Sequence, residues 1–359
     1  MVGRIAITMV LAGIVAAQTV EQKPAATVEP SKAAVEQPKN AGAASSQQNP
    51  ISVQVNEVIV PVTVTDEKNR FVSNLDGKDF RIFDEGKEQH LHFFSREHNQ
   101  PVVVGFLIDM SNATRLHWKM YQDAAIELVL NLLPGDKKFS GYLITYGNEA
   151  EVAVNTTSDS EPIVEKLRKI KPGGGAAFYD SIYLACQKRN VVAGEPFDPR
   201  RVLIIIGDGH DTASKKTLEE VLELAQRNLV TIYGMSTVGF GFNSEGEKNL
   251  TRLAEETGGR VEYPLQGLYS NVSGYLSTPS DDGNYALAVG SGAYAAEISG
   301  GIFKAVANIA GEVTTQYILR YSPDINPKSE GKAFRNIKVA VNLQNVKVRA
   351  RKGYYSQAP

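Results

Sequence analysis

A chain of 359 residues with 42% hydrophobic content suggests about two to three structural units and carries ample apolar material for a sizeable core. Its formal net charge of −2 excludes a whole-chain basic signal for nucleic acid, and equally an acidic excess. The single cysteine, Cys186, excludes an intramolecular disulfide and reads as inert packing rather than a nucleophile.

At the N-terminus, Arg4 precedes the apolar run Ile5 to Val15, and Val15-Ala16-Ala17 offers small residues ahead of Gln18. This is the pattern of a cleaved signal peptide over residues 1–17. The run is too short to span a bilayer comfortably, so the mature chain is expected to be exported, periplasmic or secreted, with no transmembrane span. No cysteine follows the run, which excludes a lipoprotein-type anchor there. Residues 18–50 are built from Ala, Gln, Pro, Ser, Glu and Lys without an apolar period, the composition of a disordered tether.

Residues 51–98 change to alternation. Val53, Val55, Val58, Val60, Val62 and Val64 give period-two segments, and Pro61 argues for an edge strand. Phe80, Ile82 and Phe83 lead into Asp84-Glu85-Gly86, a hairpin signal. His90 and His92 sit at alternate positions and could share a face; without further ligands they read as an exposed strand edge rather than a zinc site.

Residues 99–266 form the α/β part. Val102 to Ile108 is a near-continuous apolar run, too short for a full helix, that suits a strand buried on both faces. It stops at Asp109, followed after one residue by Ser111. A helical stripe covers Leu116 to Leu133, stopped by Pro134-Gly135-Asp136. Then come a strand at Phe139 to Tyr146, a polar loop, a helix at Glu161 to Ile170, and the loop Gly173-Gly174-Gly175 running into a helix from about Tyr179. A second apolar strand, Val202 to Ile206, ends in Gly207-Asp208-Gly209. Helices at Thr217 to Asn228 and Glu247 to Thr257 flank a strand at Val230 to Tyr233. This alternation predicts an α/β fold with a doubly wound, mostly parallel sheet, and open sheets of this kind bind ligands at their carboxyl edge.

Residues 267–359 open with a Gly-, Ser- and Ala-rich excursion as far as Gly301. An amphipathic helix follows, marked by Ile298, Ile302, Ala305, Ile309 and Val313, then strands at Tyr317 to Tyr321, Ile337 to Leu343 and Val346 to Ala350. Both flanks bring strands, so they are expected to pair across the insert as a small β unit.

Two strands thus end in acids, Asp109 and Asp208, with a glycine loop between them. This resembles the von Willebrand factor type A domain, a Rossmann-like fold whose metal-ion-dependent adhesion site combines D-x-S-x-S, a loop threonine and a later aspartate. Asp109, Ser111 and Asp208 match that set, whereas the second serine is Ala113 and the threonine of G-G-T-A-L-Y-D is Ala176. The resemblance implies Mg²⁺ or Ca²⁺ on hard oxygen ligands, with two of the expected oxygens replaced by methyls. Thr114, Asn112, His210 and Asp211 lie nearby in sequence and are candidates to compensate. The opening V-x-V-x-V-T-D with its later D-F-x-I-x-D-x-G-K is similar to the acidobacterial A-domain-related group. So is the tail Gln316 to Pro323 followed by Val348 to Tyr355. The implied function is an exported, non-catalytic protein-binding module of the adhesion type with a degenerate metal site. A protein or peptide would be held by Asp109, Ser111, Asn112, Gly175, Ala176, Asp208 and His210. The alternative is a metal-free scaffolding protein of the cell envelope that makes contact through its β flanks.

Enzyme readings find little support. The nearest approach to G-x-S-x-G, Gly234 to Gly239 around Ser236, has one residue too many and reads as a polar turn after a strand. Ser111 stands where a D-x-D phosphotransferase needs its second acid. Gly173-Gly174-Gly175 lacks the lysine of a phosphate loop, and Gly239-Phe240-Gly241 lacks a third glycine. Arg349-Ala350-Arg351-Lys352 reads as a solvated strand end.

Overall fold

The computed structural model describes residues 57–96, 101–135, 138–187, 194, 196, 199–238, 245–265, 291–323 and 334–355. The expected signal peptide, the tether, the valines before Glu57 and the stretch 266–290 lie outside the described residues.

The N-terminal flank supplies β1 (Val58–Asp66), β2 (Phe80–Asp84), β3 (Lys87–Gln89) and β4 (Phe93–Ser95). The central part runs β5 (Val102–Asp109), α1 (Trp118–Leu132), β6 (Phe139–Tyr146), β7 (Ala150–Thr157), α2 (Glu161–Lys169) and α3 (Phe178–Cys186). It continues with β8 (Arg200–Gly207), α4 (Leu218–Arg227), β9 (Thr231–Ser236), α5 (Glu245–Thr257) and β10 (Val261–Glu262). The C-terminal flank adds α6 (Ser291–Thr315), β11 (Tyr317–Tyr321), β12 (Phe334–Val341), β13 (Val346–Ala350) and β14 (Gly353–Tyr355).

The central sheet has the order β10-β9-β8-β5-β6-β7 and is parallel except at β7. Its middle strand explains its own sequence. Every residue of β5 is buried. Val102, Val104, Phe106 and Ile108 enter one apolar layer, with α1, α2 and α6, while Val103 and Leu107 enter the other, with α3, α4 and α5. A strand covered on both faces has no polar alternation to show. The chain leaves β5 toward β6 on one side and returns to β8 on the other. The gap between the carboxyl ends of β5 and β8 is therefore the topological switch point.

The flanks do pair across the insert, as two four-stranded sheets of order β13-β1-β11-β4 and β14-β12-β2-β3. Between them lies a third core that includes Val60, Val62, Ile82, Leu319 and Tyr321. The β2–β3 hairpin turns on Glu85 and Gly86, both at positive φ (49° and 78°), as a primed turn requires. Two buried carboxylates tie the parts together. Asp84 accepts hydrogen bonds from the Tyr321 and Tyr354 hydroxyls, each at 2.9 Å, and from Arg335 Nε at 2.9 Å. Glu312 of α6, fully buried, accepts from Thr63 of β1 at 2.9 Å and from Arg349 of β13 at 2.6 Å. It also pairs in charge with Arg260 at 3.0 Å.

Several expectations need correction. Pro61 does not mark an edge strand, because β1 lies between β13 and β11. The β13 ladder begins at Val62, so on that side the proline borders no strand and forfeits no ladder bond there. The polar loop after Tyr146 contains β7, an antiparallel edge strand whose partly buried residues give weak apolar alternation. Ser236 belongs to no turn: it is the last residue of β9, fully buried, and its Oγ accepts from the Val238 N–H at 3.2 Å. The excursion to Gly301 ends earlier, since α6 begins at Ser291. The Arg349–Lys352 stretch is no solvated end: Arg349 serves Glu312, and Arg351, buried, donates to the Leu229 carbonyl at 2.9 Å.

Candidate functional site

Four loops meet at the switch point, each held by hydrogen bonds to another. After β5, the Met110 N–H donates to the Tyr146 carbonyl at 2.8 Å, and the Met110 carbonyl accepts from Gly173 at 2.6 Å. The Asn112 N–H reaches the Gly174 carbonyl at 3.1 Å. After β6, Asn148 Oδ1 accepts from the Gly175 N–H at 2.6 Å. Gly174 has φ +100°, and a Cβ there would sit 2.9 Å from Asn148 Oδ1, so glycine alone suits both backbone and neighbour. After β8, Thr212 Oγ1 accepts from the Ala176 N–H at 2.8 Å, and Asp211 Oδ1 accepts from Phe178 and Tyr179 at 2.9 and 3.2 Å. Asp211 thereby caps α3, where a carboxylate meets the free N–H groups of a helix start. Asp180 closes the frame by accepting from the Lys215 and Lys216 N–H groups.

Within this frame Asp109 is 1% exposed. Its Oδ1 accepts from the Ser111 N–H at 2.7 Å, while its Oδ2 is buried with no hydrogen-bond partner among the described residues. Burial, reinforced by the nearby Asp208 charge, pushes the Asp109 carboxyl up to about 6. The Tyr146 hydroxyl is also buried and has no hydrogen-bond partner among the described residues, and burial, with Asp109 next in importance, holds it well above the ordinary phenol range. Gly207 leaves room for both, because a Cβ there would collide with the Tyr146 hydroxyl and stand 3.0 Å from Asp109 Cβ. Asp208 is half-buried; its Oδ1 accepts from the His210 N–H at 2.9 Å, and its Oδ2 lies 3.2 Å from His210 Nδ1.

Whether a metal suits this edge turns on its oxygens. Asp109 Oδ2 is an orphaned acceptor of the kind an ion would satisfy. The rest of the donor set falls short. Ser111 Oγ already accepts from Ala113 at 3.3 Å, and both Asp208 oxygens face His210. Ala113 and Ala176 offer methyls, and Ala176 is buried. Of the sequence candidates for compensation, Thr114 is buried and donates its hydroxyl to the Asp109 and Ser111 carbonyls, while Asp211 is committed to α3. Among the described residues no group of three or more His, Cys, Asp or Glu side chains is placed to hold a metal. An octahedral Mg²⁺ shell therefore does not fit the residues present.

The fold brings Asp109, Ser111, Asn112, Gly175, Ala176, Asp208 and His210 to one sheet edge, with Asn112 and His210 exposed and Ala176 beneath the surface. Sequence reasoning missed Asn148, Tyr146, Gly207 and Thr212. Tyr146 and Asn148 were findable from position, since they end β6 or directly follow it at the same edge. Nothing in sequence marked Thr212.

Residues 104–266 match the family model of the von Willebrand factor type A domain. No curated protein matches the chain. Among solved structures the chain is similar to the conserved hypothetical protein BatB from Bacteroides thetaiotaomicron, at 18% identity over 49% of this chain and 100% of that one, TM-score 0.37. It is similar to the vWF domain of the type V pili tip protein Mfa5 from Porphyromonas gingivalis, at 23% identity over 32% of this chain and 39% of that one, TM-score 0.28. A third is proximal thread matrix protein 1 from the mussel byssus with a zinc-occupied MIDAS motif, at 17% identity over 47% of this chain and 42% of that one, TM-score 0.38.

Proposed function

We propose that this chain, whose residues 104–266 carry a von Willebrand factor type A domain within two β flanks, is an exported non-catalytic module that binds a protein or peptide. Domains of this type typically mediate protein interactions. The observation that supports the reading is the convergence of four mutually bonded loops at the β5/β8 switch point, presenting Asn112, Asp208 and His210 beside buried Asp109. Such an edge is rigid and pre-organised, so little ordering entropy opposes docking. With Ala113 and Ala176 in place of two oxygens, we read recognition as independent of a bridging metal. The V-x-V-x-V-T-D opening and the Gln316 to Pro323 tail support membership of the acidobacterial A-domain-related group. The signal-peptide pattern over residues 1–17 supports export. Among the described residues no helix is long and apolar enough to cross a membrane.

The test is capture of envelope proteins on wild-type, Asp109→Ala and Asp208→Ala chains, together with calorimetric titration of Mg²⁺, Mn²⁺ and Ca²⁺. A partner retained by the wild type and lost by the variants supports the edge; equal capture by all three excludes it. Ion affinity tighter than millimolar would restore a metal-dependent mechanism. The scaffolding alternative rests on Phe93 and Leu343, apolar side chains of the flanks that are 42% and 45% exposed. Loss of the partner in Phe93→Ser or Leu343→Ser, with both aspartate variants still binding, would favour that alternative.

A further inference from the structure

A surface pocket of about 370 Å³ lies between β3 and β4, far from the carboxyl edge in sequence, and Phe80, Arg81, Glu88, His90, His92 and Phe94 are among the residues that line it. His90 and His92 are both exposed, and their rings stack with centroids 5.5 Å apart and planes 16° from parallel. Contrary to the expected strand edge, the two residues lie in the connection between β3 and β4, with His92 at a bend, and it is this connection that brings the two imidazoles together. His90 Nδ1 lies 2.8 Å from the Leu91 carbonyl. A carbonyl oxygen only accepts, so Nδ1 carries the proton and the lone pair is left on Nε2. A backbone carbonyl in this role is what orients a metal-bound imidazole and raises its basicity.

We propose that His90 and His92 form a two-imidazole chelate for a borderline divalent ion of the Ni²⁺, Cu²⁺ or Zn²⁺ class. Imidazole nitrogen suits these ions, whereas the hard ions of the carboxyl edge require oxygen. Glu88 lines the same pocket but is held by Arg81, which donates from Nε to Oε1 at 2.8 Å and from Nη2 to Oε2 at 2.6 Å. The protein therefore supplies two ligands, and water completes the shell. This site owes nothing to the binding role proposed for the sheet edge.

The experiment is calorimetric titration of untagged full-length chain with Ni²⁺ and Zn²⁺ salts, in wild type, His90→Ala, His92→Ala and Asp109→Asn. Both histidines are exposed, so the alanine variants are expected to fold, and circular dichroism checks this. The expected result is saturable one-to-one binding in wild type and Asp109→Asn. Each alanine variant should bind more than about tenfold more weakly, a loss that removal of even an outer-shell partner can cause. Absence of saturable binding to wild type, or wild-type affinity retained in either alanine variant, overturns the assignment. So does loss of binding in Asp109→Asn, which would move the ion to the sheet edge.

Discussion

At Asp109 a carboxylate is buried with Oδ2 unpartnered among the described residues, near a second acid and a phenol held well above its ordinary range. Burial favours the neutral acid, so the folded chain binds this proton more tightly than the unfolded chain does. The folded value of about 6 exceeds the ordinary 3.8, so stability is fully present below the unfolded value and is lost as pH rises toward 6, then levels off. The rise corresponds to roughly 3 kcal/mol at neutral pH, as an order of magnitude. Asp109→Asn keeps an Oδ1 acceptor for Ser111 and carries no charge. It should raise stability to urea at pH 7.5 and leave it nearly unchanged at pH 4. Equal gains at both pH values would show that burial of the charge is not the cause.

Among the elements, β5 and α6 hold the most consequence. Gly105 of β5 is packed so tightly that a Cβ there would lie 2.5 Å from the Tyr142 hydroxyl oxygen and 2.7 Å from Leu203 Cδ2. Gly105→Ala should therefore destabilise by about 1–3 kcal/mol through overpacking, measured by chemical denaturation. A neutral effect would mean that Tyr142 swings away freely. In α6, Glu312 is a fully buried anion facing Arg260, Arg349 and Thr63. Replacing it with alanine takes the carboxylate from Arg349 and leaves Arg260 with Glu262 alone, with an expected loss of about 3–5 kcal/mol. A fall in melting temperature no larger than that of an exposed control such as Lys304→Ala would refute this joint.

At the scale of the molecule, the segment 104–266 shares its core with an element outside it. Ile298, Ile302, Ala305, Val306, Ile309 and Val313 of α6 cover one layer of the central sheet, and α6 lies beyond residue 266. Each such side chain contributes about 1.5–3 kcal/mol when buried. A chain limited to residues 101–266 should expose that face, bind a hydrophobic dye and lose cooperative unfolding. Restoring residues up to 355 without 57–96 should not rescue it fully, because β11 and β13 both pair with β1. Cooperative unfolding of the 101–266 piece would contradict this dependence.

The sequence alone determined what local chemistry can announce. A continuous apolar run declared a strand buried on both faces, Asp84-Glu85-Gly86 declared a hairpin, and the spacing of Ile302, Ala305, Ile309 and Val313 declared the buried stripe of α6. It also brought Asp109 and Asp208 to the same sheet edge, since both follow apolar runs of one parallel sheet. Tertiary structure decided the rest. The half-buried β7 carries too few apolar residues for a clear period, and β14 is too short to carry one. Ser236 looked like a turn hydroxyl until its strand was seen to continue. Thr63 and Glu312 lie 249 positions apart. No periodicity spans that distance, because only the folded chain brings an anion on α6 against donors from β1, β13 and the α5–β10 connection. For the same reason the sequence could count the oxygens missing at the edge. Only the fold could show that Thr114 and Asp211, two of the candidate replacements, are already bonded elsewhere.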